Sequence, residues 1–149
     1  MNEIYLNSLD LKTFTEQDAL DYCQINDINP DNIIKLWLHD NKATDISGIK
    51  LFKNLQNLYL YFNQLTDISV IKNLKQLQDL NIGHNKITDI SVIQYLKNLE
   101  ILLIENLKLE SDQIQYIKSL KNLKELWCRN GFKNKSVLNQ FDKNIKVIK

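Results

Sequence analysis

Three kinds of side chain in this sequence invite a chemical reading. His39 and His84 are the imidazoles, Cys23 and Cys128 the thiols, and Asp45, Asp67 and Asp89 form a regularly spaced set of carboxylates. A metal centre needs several such ligands converging, usually announced by short Cys or His intervals. Neither cysteine has a second ligand at such an interval, and two are too few for a disulfide framework, so both are expected as reduced, buried thiols. No Ser, Cys or Lys stands in a recognisable nucleophile motif, and no glycine-rich stretch could cradle a phosphate. The carboxylates lie in "ATDISGI" (43–49), "LTDISVI" (65–71) and "ITDISVI" (87–93). There Thr, Asp and Ser surround an apolar Ile. Asp and Ser accept hydrogen bonds from free backbone amides where a short helix or 3₁₀ turn begins. The aspartates are read as turn residues, and the expectation is a non-catalytic protein with no metal and no cofactor.

Composition narrows the class. The chain has 149 residues, 44% hydrophobic, which suits one domain with a continuous core. Nineteen Lys and Arg stand against eighteen Asp and Glu, and Lys alternates with acidic residues along the chain. Nucleic-acid binders gather a basic face instead, so no nucleic-acid partner is expected. No apolar run approaches the roughly 20 residues that span a bilayer. The amino terminus, "MNEIYLNSLD", carries neither a positive leader nor an apolar signal core. The expectation is a cytoplasmic protein with no membrane partner.

The spacing of the aspartates belongs to a longer period. Ile33, Leu55, Leu77, Leu99, Leu123 and Ile145 open successive units at intervals of 22, 22, 22, 24 and 22 residues. Three residues on stand Leu36, Leu58, Leu80, Leu102, Leu126 and Ile148, and two further Leu38, Leu60, Ile82, Ile104 and Cys128. Asn41, Asn63 and Asn85 complete the pattern L-x-x-L-x-L-x-x-N. Two apolar residues separated by one outward position make a short strand. A turn and a second apolar pair, such as Ile68 and Ile71, bring the chain back. One unit cannot bury its own apolar face, so the units must stack and share a core. The Asn amides are expected to satisfy turn backbone groups in the interior.

These units resemble leucine-rich repeats of the 22-residue class, the kind found in internalins and in phosphatase-regulatory leucine-rich proteins. The match is close from Ile33 to about Leu99 and looser elsewhere. The resemblance implies an α/β solenoid with a curved parallel sheet on the concave face and short 3₁₀ turns or helices on the convex face. It also implies that the concave sheet binds other proteins. The signal and wall-anchor segments of secreted internalins have no counterpart here, so a cell-surface role is not carried over.

The expected organisation is a single domain, 1–149. Residues 1–32 form an amino-terminal cap with a helix, 33–122 the central repeats, and 123–149 the last repeat and carboxy-terminal cap. Six or seven short strands are expected, with longer helices only near 15–26 and 112–121. Thr15 and Asp18 resemble a capping box, with Ala19, Leu20 and Cys23 facing inward. Leu9 and Leu107 match each other and are expected to fill the gap under those helices. "NIKVIK" reads as a last strand with Lys outside. A one-residue slip at 101–106 is the alternative register, turning Leu103 inward.

The register leaves outward positions that the core does not need. The position between the two strand leucines gives Tyr5, Trp37, Tyr59, Asn81, Leu103 and Trp127; the next outward position adds His39, Tyr61, Glu105 and Arg129, with Asp40, Phe62 and His84 beside them. Both tryptophans fall in one column. Exposed aromatics with Arg mark interfaces, and these residues are the expected protein-binding surface. Cross-strand pairs such as Trp37 with Tyr59 also stabilise a sheet, by roughly 0.2–1 kcal/mol. His39 and His84 fall two units apart, about 10 Å on the strand spacing, too far for a shared metal. The leading expectation is a monomeric protein-interaction module. A regulatory or inhibitory subunit of one specific enzyme, phosphatase-regulator-like or toxin-neutralising, is a second reading, and a self-associating structural protein a third.

Overall fold

In each unit one apolar side chain is flanked by two outward ones, and that three-residue alternation is the strand. The computed structural model describes residues 2–141 and 144–149. Met1, in the expected amino-terminal cap, and Asp142 and Lys143, in the carboxy-terminal one, lie outside the described residues. Strands β1 (Glu3–Tyr5), β2 (Lys35–Trp37), β3 (Asn57–Tyr59), β4 (Asp79–Asn81), β5 (Ile101–Leu103), β6 (Glu125–Trp127) and β7 (Lys146–Ile148) form one parallel sheet in chain order. Ile4, Leu36, Leu58, Leu80, Leu102 and Leu126 are stacked in register and buried. Behind them the return path runs through 3₁₀ turns at Ser47–Leu51, Ser69–Asn73 and Ser91–Tyr95, which bury Ile49, Ile71 and Ile93. Sheet and turns share one core, the arrangement expected for a leucine-rich repeat solenoid.

Two recurring polar residues hold the turns. Asn63 Oδ1 accepts from the Ala43 amide at 3.0 Å, while its amide donates to the Leu38 and Leu60 carbonyls, both at 2.9 Å. Each such Asn ties its own unit to the preceding one. Asn41 and Asn85 do the same through Leu11 N and Leu65 N. On the return side Asp45, Asp67 and Asp89 accept from the amides of Ser47, Ser69 and Ser91, each at 2.7 Å. The carboxylate period is a turn period.

The residue after each outward strand position must reverse the chain, and it does so with a left-handed backbone. Ser8, Asp40, Phe62, His84, Asn106 and Asn130 all have φ between 52° and 59°. Five of the six are types that tolerate this conformation or bond locally in turns. Phe62 is the exception.

The ends depart from the expected pattern in four places. Helix α1 (Glu16–Ile25) has the Thr15–Asp18 capping box and buries Ala19 and Cys23, but Leu20 is 43% exposed. One helical step carries it about 100° round from Ala19 and off the buried stripe. Leu107 is buried while its counterpart Leu9, in the loop after the edge strand β1, is 56% exposed. The second helix, α2 (Ile114–Lys118), is shorter than expected, and a 3₁₀ turn at Ser111–Gln113 makes up the start of that segment. In β7 the register slips by one. Val147, not Ile148, lies opposite Leu126, which sets Ile148 opposite Trp127 on the outer face. The slip brings Lys146 opposite Glu125, with Nζ 3.1 Å from Oε1, and opposite charges across a strand pair favour that register. At 101–106 the first register holds: Leu102 and Ile104 are buried and Leu103 points outward.

The outer face of the sheet as a candidate binding site

Parallel strands lie about 4.8 Å apart, so flat side chains at equivalent positions of neighbouring strands must stack. Two such stacks form. Tyr5 and Trp37 lie 4.4 Å apart between centroids at an interplanar angle of 8°, and Trp37 and Tyr59 lie 5.4 Å apart at 30°. One outward position further, His39 stacks on Tyr61 at 4.2 Å. Tyr61 meets Phe62 edge-on at 5.6 Å, and Phe62 lies 4.1 Å from His84. Two rings therefore separate the two histidines. Among the described residues no group of His, Cys, Asp and Glu is arranged to hold a metal ion.

Stacking changes the expected accessibility. Trp37, Tyr59 and Tyr61 are half-buried under their stacked neighbours, and Trp127 is half-buried without one, while Tyr5 and Phe62 are 60% and 48% exposed. The stacks stop at β4, where Asn81 and Gly83 stand. Asn81 Oδ1 accepts from the Gly83 amide at 3.1 Å, and a Cβ at Gly83 would lie 3.1 Å from the Glu105 carbonyl. Beyond this low point come Leu103 and Glu105, then Trp127 and Arg129. Trp127 sits four strands from Trp37, about 19 Å at the strand spacing, so it does not join the aromatic stacks. Its indole donates to Glu125 instead, at 3.2 Å. The left-handed column continues as a polar chain: Asn106 Nδ2 lies 3.0 Å from His84 Nε2, and Asn130 donates to Asn106 at 3.1 Å. At its other end Asp40 accepts from the Ser8 hydroxyl at 2.9 Å.

A further outward column escaped the sequence reading. Alternation that points Trp37 outward also points out the residue two before it, so Glu3, Lys35, Asn57, Asp79 and Ile101 share the face. Tyr5 donates to Glu3 at 2.7 Å, and Lys35 Nζ lies 3.3 Å from Glu3 and 5.9 Å from the Trp37 ring centroid. Tyr59 donates to Asp79 Oδ2 at 2.9 Å. Burial and that carboxylate push the Tyr59 hydroxyl up to about 12. Burial also pushes the Asp79 carboxyl up, against the pull of the Tyr59 hydroxyl and the Asn57 amide. Burial lowers the His39 imidazole, partly offset by Asp40.

Two clefts reach the edge of this face, at Ser8, Asp40 and Asn41 and at Arg129 and Asn130, and two others lie elsewhere. One is lined by Asp45, Ser47, Asp67 and Ser69, another by Glu16, Lys50, Lys53 and Asn73, both between turns on the convex side. The aspartates of the first are already bonded to their turns. Exposed lysines recur at Lys53, Lys75, Lys97 and Lys121, in the turns leading into strands β3 to β6.

Comparison with known proteins agrees with this geometry. Residues 53–95 match the family profile described as Leucine Rich repeats (2 copies). No protein of curated function matches the sequence. Among solved structures, an internalin from Listeria monocytogenes superposes with a TM-score of 0.77 at 24% identity, covering 99% of this chain and 47% of that one. A second internalin from the same organism gives 0.60 at 21% identity, covering 99% and 80%. A plant peptide hormone receptor, solved in complex with RGF2, gives 0.64 at 20% identity over 87% and 21%. The chain thus spans just under half the length of the first internalin, and at these identities what it shares with all three is the fold.

Proposed function

We propose that this chain of leucine-rich repeats is a non-catalytic binding module whose concave aromatic face takes a protein partner. The observation that carries the reading is Phe62. It is the one residue of the left-handed column whose side chain neither tolerates that backbone well nor bonds locally in turns, and it is 48% exposed. A bulky residue at positive φ costs of order 1–3 kcal/mol, and burial does not repay it here. Such a residue persists where the ring itself is used. It also completes a cluster with His39, Tyr61 and His84, beside the Tyr5–Trp37–Tyr59 stack. Large aromatic rings pre-ordered by stacking lose little side-chain entropy on binding, which suits anchor residues. The plant receptor, of similar fold, is likewise known in complex with a partner.

The test is binding after removal of the rings. A Trp37→Ala, Tyr61→Ala variant should keep its fold by circular dichroism and lose partner capture, while convex-side changes leave capture intact. A folded variant that still captures its partner would place the site on another face.

A further inference from the structure

The two edges of the sheet are built differently. β1 and β7 each pair with one neighbour only, so each turns a row of backbone groups to its open side. In β7, Lys146 and the adjoining Lys149 guard that row, a common way of blunting an edge. Residues 2–7, "NEIYLN", contain neither lysine nor proline. The amides of Leu6 and Ser8 bond to β2 and its extension, at Trp37 and His39, so Glu3, Tyr5 and Asn7 turn theirs to the open side. The ring stack is open at the same place: Trp37 covers one face of Tyr5, and Tyr5 is 60% exposed.

The end of the solenoid beside β1 is apolar. A further cleft, of about 160 Å³, is lined by Leu6, Leu9, Leu11, Phe14 and, from α1, Asp18 and Tyr22. All of its lining belongs to the first unit, so the cleft opens on the end of the stack and not between units. Asp18, Tyr22 and Ile25 stand at i, i+4 and i+7 on α1 and share one face of it. Ile25 therefore belongs to the same end, and it is 82% exposed. Glu16 and Leu20 stand on the other flank, where Glu16 pairs with Lys50. Exposed Tyr5, Leu9 and Ile25 thus gather at one end, and apolar groups gathered in this way mark a contact surface.

We infer that this end docks on the same end of a second copy, β1 against β1, antiparallel about a twofold axis, a pair in place of the expected monomer. The edge is self-complementary. Centred on Tyr5, the pairing sets Glu3 opposite Asn7 of the second copy, a carboxylate beside an amide donor. Centred on Glu3, it would oppose two carboxylates, which is unfavourable. The same axis reverses α1, so Ile25, near the end of each helix, meets the cleft near the start of the other. Two exposed apolar groups are covered at once, and the ring stack runs on from one copy into the next. Head-to-tail joining would gain no ion pair, because Glu3 and Lys146 already have partners in Lys35 and Glu125. It would also set the apolar end against the lysine-bearing one. The inference is independent of the binding reading above, since pairing leaves the two aromatic faces side by side.

Sedimentation equilibrium of the intact protein, at concentrations up to about 1 mM, reads the association directly. The expected result is a reversible monomer–dimer equilibrium that stops at the dimer. Ile25→Lys and Leu9→Lys change exposed positions, so both should keep the circular dichroism of the wild type while weakening the dimer about tenfold or more. Leu20→Lys, on the other flank of the same helix, should leave the dimer unchanged. Tyr5→Cys should join two copies through a disulfide on oxidation, because the axis brings the two Cα atoms within disulfide reach; Leu20→Cys should do so far more slowly. Monomer at every concentration overturns the inference, and so does open-ended growth, which is the mark of head-to-tail joining. A dimer that ignores both Ile25→Lys and Leu9→Lys, or that Leu20→Lys disrupts as strongly, overturns it as well.

Discussion

The rings of Phe62 and His84 lie 4.1 Å apart on adjacent units, and both residues hold left-handed backbones, with φ of 54° and 53°. Histidine is enriched in that region and phenylalanine is not. The same contact therefore joins a residue suited to its backbone with one that is not.

This asymmetry makes Phe62→Asn informative. Asparagine tolerates the left-handed backbone, so the substitution should raise stability by about 1 kcal/mol, less whatever the stacking with His84 and Tyr61 contributes. Urea denaturation measures the sum. A gain in midpoint together with weakened partner binding is the expected outcome. A loss of several kcal/mol would mean that the ring is a structural element whose packing outweighs its backbone strain.

The Asn ladder predicts a ranking. Asn63 is buried and serves Ala43 N, Leu38 O and Leu60 O; Asn63→Ala leaves the Ala43 amide unpaired, while the two carbonyls keep their bonds from Asn41 and Asn85. The cost should be on the order of 1–3 kcal/mol. Asp67 is exposed and caps a single amide, that of Ser69. Asp67→Ala should cost about 0.5–2 kcal/mol, as for loss of a cap. Thermal melts of the pair check the order, and an unaffected Asn63→Ala protein would contradict the ladder.

Much of this was legible before any coordinates. The 22-residue interval marks the strands because alternation and burial repeat with it, and "TDIS" marks the turns because its Asp bonds the amide two residues on. The outward positions of Trp37, Tyr59 and Tyr61 follow from the same alternation. What stayed hidden depends on neighbours, not on spacing. The β7 slip shortens the last interval to suit the Glu125–Lys146 pair, and Leu9 lies beside the edge strand β1, where it stays exposed. Asp79 reads as one of many strand-edge polar residues until Tyr59 is seen bonded to it. The types in the left-handed column were a usable signal, since Asp40, His84, Asn106 and Asn130 are favoured there.

His39 predicts how stability responds to acid. Burial lowers its imidazole from the ordinary 6.5, and Asp40 offsets this only in part. Above that ordinary value the ring is neutral in both folded and unfolded chains and adds no slope. Below it the unfolded chain takes up the proton first, so stability falls as pH drops from the ordinary value through the lowered folded one. Urea midpoints of the wild type should decline across this window, and His39→Gln should flatten the decline. An unchanged slope in the variant would assign the loss to other groups. Glu3 and Asp18, both lowered by their hydrogen bonds, act only at more acid pH.

The last prediction separates the two uses of the aromatic stack. Trp37 touches Tyr5 on one side and Tyr59 on the other, and beneath it the core is already filled by Leu36 and Leu38. Each stacked pair contributes about 0.5–1.5 kcal/mol beyond area burial, so a Trp37→Ala, Tyr59→Ala double mutant should lose a few kcal/mol at most. That loss leaves the fold intact if the protein has the usual stability of a domain of this size, about 5–15 kcal/mol. An anchor, by contrast, can cost several kcal/mol of binding, which takes partner capture below detection. Lys72→Glu is the matched control. Its ammonium lies 4.6 Å from the Tyr95 ring centroid on the convex side, so reversing its charge should leave capture unchanged. If the double mutant unfolds, the stack is chiefly a structural device of the sheet; if it folds and still binds, the partner reads a different surface.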